Sequence, residues 1–463
     1  MLKVFSCPGK ALLAGGYLVL DPDYEAFVVA LSARMHAAIT LLRPLGQSEL
    51  TKITVKSPQF KGGLWSYHLD INKLSESDIV EAHGRNNPFV KTTILTVLSY
   101  LKPTDNYEIE ITIFSDSGYH TQAGSTAKVS NNGTRRFYYH DAAITEVPKT
   151  GLGSSAGLVT SLTSALLCCY LGPNFLNKTA EENAQTLNCL HNLSQVAHCI
   201  AQGKVGSGFD VAAATYGSVV YRRFKPELIT RLMELDPSQF SNGLKELVDN
   251  ADWKIVHRQC SLVPGIRILM GDVAGGSETP KLVSKVLKWR KENPERALQV
   301  WTNLNNSNMK LVESLEQLRK SSKSDYSQTL DYLNTHSASE IVDDNLSPGL
   351  LNIINCIKHI RHWLKLMSIE SGAEIEPDEQ TRLLDRCEAL KGSLGGVVPG
   401  AGGYDAICLL VAEDSIDRII TDTKNDEEFK RVNWLQLEDQ KQGLIEEKIE
   451  DFEGLIHIPG NLC

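Results

Sequence analysis

Between Pro148 and Ala156 the chain reads Pro-Lys-Thr-Gly-Leu-Gly-Ser-Ser-Ala. A β-type run, Ala143 to Val147, precedes this segment, and a largely apolar helical run, Leu158 to Tyr170, follows it until Leu171-Gly172-Pro173. Strand, glycine turn and helix in that order commit the region to a mixed α/β layer, because sheet and helix each need the other to bury an apolar face. The turn also has chemistry. Gly151 and Gly153 let backbone N–H groups approach a ligand closely. Ser154 and Ser155 stand where the helix begins, beside its unpaired N–H groups and the positive end of its dipole. Two hydroxyls there suit phosphate oxygens or magnesium, a hard cation that prefers oxygen. A plain strand-to-helix turn with a serine N-cap accounts for the same residues.

Two better-known phosphate loops do not fit. Gly151-x-Gly153-x-x-Ala156 matches the dinucleotide fingerprint, but that motif needs a second strand ending in an acidic residue about 20 positions on. Here those positions read Gly172-Pro173-Asn174-Phe175-Leu176-Asn177-Lys178, a loop. A Walker A loop requires Gly-Lys-Ser/Thr after the glycines, and none follows.

Elsewhere the first half mixes strands and helices. Phe27 to Leu42 is β-rich, and Glu108-Ile109-Glu110-Ile111-Thr112-Ile113 alternates as a half-buried strand. The polar stretch from Ser115 to Arg136 reads as a loop or hairpin excursion. A second helix, Ala180 to Ala201, leads to Gly206-Ser207-Gly208-Phe209-Asp210 and a short helix to Tyr216, then a strand from Ser218 to Phe224. Residues 225–260 are the junction, with a polar helical stretch after Lys225-Pro226. A strand from Ile266 to Met270, helices over 278–293, 295–322, 349–370 and 378–390, and a strand from Asp405 to Ala412 follow. The acidic end (Glu446, Glu447, Glu450, Asp451, Glu453) reads as a solvated face.

The 463 residues carry Lys+Arg 47 against Asp+Glu 56, a net charge of −9. That argues against a nucleic-acid groove or a polybasic membrane patch, both of which need clustered positive charge. Hydrophobic content of 42% with 22% charged fits a globular enzyme or binding protein. No run of roughly 18 apolar residues predicts a membrane span. The ten cysteines include no C-x-x-C pair, so the thiol zinc and redox spacings are missing, and most sit in apolar runs. A reducing, cytoplasmic setting is the expectation.

Two further constellations hold glycine. Pro8-Gly9-Lys10, after the strand Lys3 to Ser6, sets one long cation at a strand end, within reach of a phosphate. Pro399-Gly400-Ala401-Gly402-Gly403-Tyr404 is backbone able to pack tightly on a ligand or another loop. Taken singly, each is also an ordinary tight turn. Asp210 opens a short helix and also reads as an N-cap. His36 and His198 have no partner at metal-ligand spacing and read as structural.

Taken together, the three segments resemble, in order and rough spacing, the three motifs of the GHMP kinases. Within that superfamily, Ser6-Cys7-Pro8-Gly9-Lys10-Ala11-Leu12-Leu13-Ala14-Gly15-Gly16-Tyr17, Glu146 to Gly157 and Gly206-Ser207-Gly208-Phe209-Asp210-Val211-Ala212-Ala213-Ala214 are most similar to eukaryotic, fungal-type phosphomevalonate kinases. Mevalonate kinases typically have Gly-Glu-His where this chain has Gly15-Gly16-Tyr17. The resemblance implies a two-domain α/β (α+β) fold, an ATP-binding domain over 1–225 and a ferredoxin-like domain over 226–463. It implies transfer of the ATP γ-phosphoryl to (R)-5-phosphomevalonate, on the mevalonate route to isoprenoids and sterols, ergosterol among them.

By the same resemblance, Lys149, Thr150, Gly151, Leu152, Gly153, Ser154, Ser155 and Ala156 cradle the ATP phosphates, with Ser154 or Ser155 near Mg2+. Lys10 and Asp210 are the catalytic pair. Lys10, Tyr17, Ser207, Ser277 and Gly402 face the acceptor. Mevalonate kinases place a glutamate magnesium ligand about eleven positions before the aspartate, where this chain reads His198-Cys199-Ile200, so much of the metal shell falls to ATP and water. Rival readings are a mevalonate kinase or other small-molecule kinase of the same fold, and a silent relative that only binds.

Overall fold

The computed structural model describes residues 2–74, 79–122, 124–176, 179–273, 279–322, 324–340 and 347–456. β1 (Leu2–Ala14) and β2 (Ala26–Leu45) are long and apolar on both faces over most of their length, as strands covered from both sides must be. β3 (Thr51–Lys56) and β4 (Leu64–Leu69) instead bury every second side chain. β5 (Ile79–His83) follows. α1 (Pro88–Leu101) starts with Pro88 behind Asn87, whose side chain accepts the Val90 N–H at 3.3 Å. Next come β6 (Asn106–Ser115) and the hairpin of β7 (Ser125–Val129) and β8 (Arg136–His140).

α2 (Ser154–Leu171) is buried nearly all round, against β1, β2, α1 and α3 (Ala180–Gln202). It is long and apolar enough to cross a membrane, yet 72% of it is buried inside the protein, the signature of a core helix. α4 (Phe209–Tyr216), β9 (Val219–Arg222), α5 (Glu227–Met233), α6 (Pro237–Asp249) and β10 (Val256–Gln259) complete the first half.

The second half runs β11 (Ile266–Val273), α7 (Thr279–Glu292), α8 (Pro294–Lys320), α9 (Ser324–Leu333), α10 (Pro348–Ser371) and α11 (Asp378–Glu388). β12 (Ser393–Val397), β13 (Ala406–Ala412), α12 (Ile416–Thr423), β14 (Val432–Gln436) and β15 (Ile445–Glu447) follow. Its four-stranded sheet has the order β12-β13-β11-β14, with every neighbour antiparallel. Read as strand–helices–strand–strand–helix–strand, this is the ferredoxin-like arrangement. The first sheet has nine strands, β10-β9-β2-β6-β3-β4-β5 with β1 on β2 and β15 on β1. A division at residues 225/226 therefore parts the two sheets except for β10 and β15, which join the first from beyond it.

Three local expectations change. Pro8-Gly9-Lys10 is not a loop after a strand but lies inside β1, which bulges between Pro8 and Gly9. Ala143–Val147 is a turn, closed by Glu146, whose N–H and carboxylate both bind back to Ala143. The acidic end is a solvated face only in part: Glu450 and Glu453 are exposed, but Glu446 pairs with Lys3, and Glu447 accepts from Ser6 Oγ at 2.7 Å and Arg135 Nη2 at 3.1 Å. Opposite charges on β1 and at the hairpin drew these residues into the sheet.

Candidate active site

Gly153 is the N-cap of α2, at φ 83° and with no side-chain cap bond. The serine-cap reading is thereby excluded. Ser154 and Ser155 are instead the first two helical residues, so neither hydroxyl closes the helix end and the first-turn N–H groups have no acceptor within the helix. β1 runs beside this loop. The Lys10 N–H donates to Leu152 O at 3.0 Å, and its Nζ donates to Gly151 O at 2.7 Å. The ammonium also lies 5.5 Å from the Phe209 ring centre.

Asp210, the second residue of α4, approaches from the other side behind the left-handed N-cap Gly208. A Cβ on Gly153 would stand 3.3 Å from two carbons of Lys10 and 3.7 Å from Asp210 Cβ. Glycine is needed there because loop, cation and carboxylate converge on it. Burial lowers the Lys10 pKa, and the charge of Asp210 opposes that shift. Among the described residues no ion pair closes between them; the ammonium is held by the loop carbonyl.

Two cavities flank the loop. The larger, about 640 Å³, is lined by Phe60, Asn87, Phe89, His120, Lys149, Ser154 and Ser155. The smaller, about 260 Å³, is lined by Lys10, Tyr17, Thr150, Gly151, Ser207 and Gly402. Apart from Gly153, the residues from Lys149 to Ala156 are thus divided. Lys149, Ser154 and Ser155 face the larger space, Thr150 and Gly151 the smaller, and Leu152 and Ala156 are buried in the core. The Thr150 hydroxyl donates to Gly118 O and anchors the loop from behind.

Tyr17 has a strained φ of 64°, and its hydroxyl donates to Ala401 O at 2.7 Å. That bond ties the first half of the chain to the glycine loop after β12. Gly402 lacks a side chain because a Cβ would fall 2.3 Å from Ile375 O. Ser277 lies outside the described residues.

The structure adds three side chains with no motif to announce them. Buried Arg223 donates to Leu20 O at 2.9 Å and Gly206 O at 2.8 Å, clamping the loops that carry Tyr17 and Ser207. His120 lines the larger cavity with Nε2 buried and unpartnered, and burial, followed by nearby Lys149, lowers its pKa to about 4, leaving a neutral ring. His198 Nε2 bonds the Ser155 hydroxyl at 3.0 Å, with Asp210 Oδ2 at 3.9 Å. Asn87-Pro88, a helix-start pair, was the available signal for the larger cavity's rim.

Oxygen donors for magnesium exist in Asp210 and the Ser155 hydroxyl. No group of three or more His, Cys, Asp or Glu side chains able to hold a metal occurs among the described residues. One carboxylate with phosphate oxygens and water is the ordinary magnesium shell, so the donor set fits.

Residues 132–218 match the GHMP kinases N terminal domain. The chain is 46% identical to the phosphomevalonate kinase of Candida albicans, covering 98% of this chain and 100% of that one. It is 34% identical to the phosphomevalonate kinase of Gibberella zeae, covering 97% and 98%. Among solved structures, the Streptococcus pneumoniae phosphomevalonate kinase in complex with phosphomevalonate and AMPPNP has a TM-score of 0.60 at 18% identity, over 94% of this chain and 99% of that one. The last likeness speaks for the fold, and the fungal identities for the lineage: the chain belongs to the phosphomevalonate kinases of the GHMP superfamily.

Proposed function

We infer that the protein transfers the γ-phosphoryl of ATP to (R)-5-phosphomevalonate, giving (R)-5-diphosphomevalonate and ADP on the route to isoprenoids and sterols. The observation that carries this reading is the pair of cavities on either side of one glycine loop, with Lys10 lining the smaller and Asp210 beside it across Gly153. The larger space suits ATP, with Ser154, Ser155 and the α2 N-terminus at its phosphates. The smaller suits a short anionic acceptor beside Lys10.

An oxygen of the acceptor phosphate forms the new bond to the γ-phosphorus, and the β–γ bridging bond breaks to release ADP. A phosphate monoester has a second pKa of about 6, so the acceptor is already mostly dianionic at pH 7 and needs no strong base. The difficulty is repulsion between two polyanions, which fixed positive charge relieves. Lys10, tethered to the loop at Gly151, supplies it with little reorganisation. Asp210 supports that charge by raising the Lys10 pKa. Asp210 and Ser155 are the residues that would hold magnesium, which when bound would supply charge neutralisation at the phosphates. The nine described cysteines are free thiols, which suits a reducing cytoplasm, where we place the reaction.

ADP release with ATP and magnesium, measured against 5-phosphomevalonate, mevalonate and galactose, tests the reading. Turnover with 5-phosphomevalonate alone is expected. Phosphorylation of mevalonate but not of its phosphate would overturn it.

A further inference from the structure

Three helices meet at one imidazole. His198 Nε2, on α3, lies 3.0 Å from Ser155 Oγ on α2, 3.1 Å from the Gln202 amide nitrogen, and 3.9 Å from Asp210 Oδ2 on α4. Its side chain is 4% exposed, and Phe89 of α1 packs at 5.7 Å from its ring centre. Gln202 lies one turn further along the same face of α3, so ring and amide brace each other. Ser155 lines the larger cavity, while Asp210 and Lys10 both approach Gly153. The ring nitrogen therefore bonds a hydroxyl of the phosphate loop, and Asp210 lies just beyond hydrogen-bond distance.

We propose that His198 is a positioning residue of the transfer site, whose Nε2 fixes the Ser155 hydroxyl while Gln202 braces the ring. This rests on the reading of the site given above. A serine hydroxyl alone rotates freely among its wells, and a neighbour that engages it selects one. The three polar atoms already meet within the protein, so the Ser155 hydroxyl is set before any ligand arrives. Such preorganisation matters because a misplacement of ~1 Å near a reacting group can cost ~100-fold in rate.

A space-filling histidine and a positioning one respond differently to substitution. Packing alone asks for volume. Positioning asks for a polar atom where Nε2 stands, a place that a glutamine amide reaches and an asparagine amide does not. The full-length chain is therefore compared as wild type, His198→Ala, His198→Asn, His198→Gln, Ser155→Ala and Ser155→Ala/His198→Ala. Steady-state kinetics with ATP, magnesium and 5-phosphomevalonate are paired with calorimetric affinity for AMPPNP–magnesium.

His198→Ala and His198→Asn should lower kcat ~10- to 100-fold, with the KM for 5-phosphomevalonate changed by less than about threefold. His198→Gln should recover at least about a third of wild-type turnover. The double variant should be no worse than the poorer single variant, in kcat and in AMPPNP affinity, because the two residues act as one unit. Wild-type kcat in His198→Asn, or losses that multiply in the double variant, would overturn the proposal. If His198→Ala fails to fold, the Gln-against-Asn comparison still decides. If wild type does not phosphorylate 5-phosphomevalonate but the AMPPNP cycle shows coupling, the function reading falls and the positioning role stands.

Discussion

Lys10 is held at both ends, its backbone on Leu152 and its ammonium on Gly151, so its charge is placed before anything binds. Removing one preorganised stabiliser of transferring charge typically lowers turnover by about 10²–10³. We expect Lys10→Met to be at least as damaging in kcat as Asp210→Asn. The pH profile separates their tasks. The protonated amine is the working form, so activity falls as pH rises through its pKa. Burial lowers that pKa and Asp210 raises it, so Asp210→Asn should move the alkaline limb to lower pH. Profiles of kcat/KM from about pH 6 to 10 check this; an unmoved limb, or a lost acid limb with far larger damage, would make Asp210 a general base instead. A second contrast uses two glycines of one loop. Both Gly151 (φ 74°) and Gly153 (φ 83°) are left-handed, so alanine at either costs about 1–2 kcal/mol in backbone strain. Only at Gly153 does the new Cβ press on Lys10. Gly153→Ala should therefore lose clearly more turnover than Gly151→Ala at a similar melting temperature. Lys10, Gly151 to Ser155 and Asp210 were legible because each sits in a local motif. His198, His120 and Arg223 were not, because their meaning arises from helices and loops that only the fold brings together.

At the scale of elements, the short helix α4 depends on its approach. Gly208 has φ 82°, and a Cβ there would lie 2.8 Å from both Gln195 Oε1 and the Tyr221 hydroxyl. Gly208→Ala should destabilise the protein by more than the roughly 1–2 kcal/mol of left-handed strain alone, and should lower kcat by shifting Asp210. Gly133→Ala is the control, since its φ of 74° carries the strain while nothing lies within 4 Å of the added carbon. Chemical denaturation of both variants gives the comparison; equal losses would mean that the α4 entry tolerates the extra atom. Helices α2, α3, α7, α8, α10 and α11 were readable from periodicity and stop signals. β1 was cut short in the sequence because Pro8-Gly9 imitates a turn; the strand continues through it by bulging against β2.

Across the whole molecule, β15 returns to pair with β1, and a buried polar cluster lies beneath the seam. Arg34 is 1% exposed and donates to Ser6 Oγ at 2.7 Å, to Ser6 O and to Gly443 O. Glu447, 3.9 Å from Arg34 Nε and bonded to Ser6 and Arg135, supplies negative charge. Glu447→Ala should cost on the order of 3 kcal/mol, because it leaves a desolvated guanidinium poorly matched. Exposed Glu450→Ala should stay within about 0.5 kcal/mol, and urea midpoints of the two distinguish them. Composition made Glu446 and Glu447 look as solvated as Glu450 is, since charge counts carry no information about which distant strand will receive them. The seam also sets a timetable. A ribosome delivers residues Val4 to Ser6 hundreds of residues before Ile445 to Glu447. Until that moment the edge of β1 stays open and Arg34 lacks Glu447, so a nascent chain cannot complete its first sheet before the strands of its second, β11 to β14, have been made.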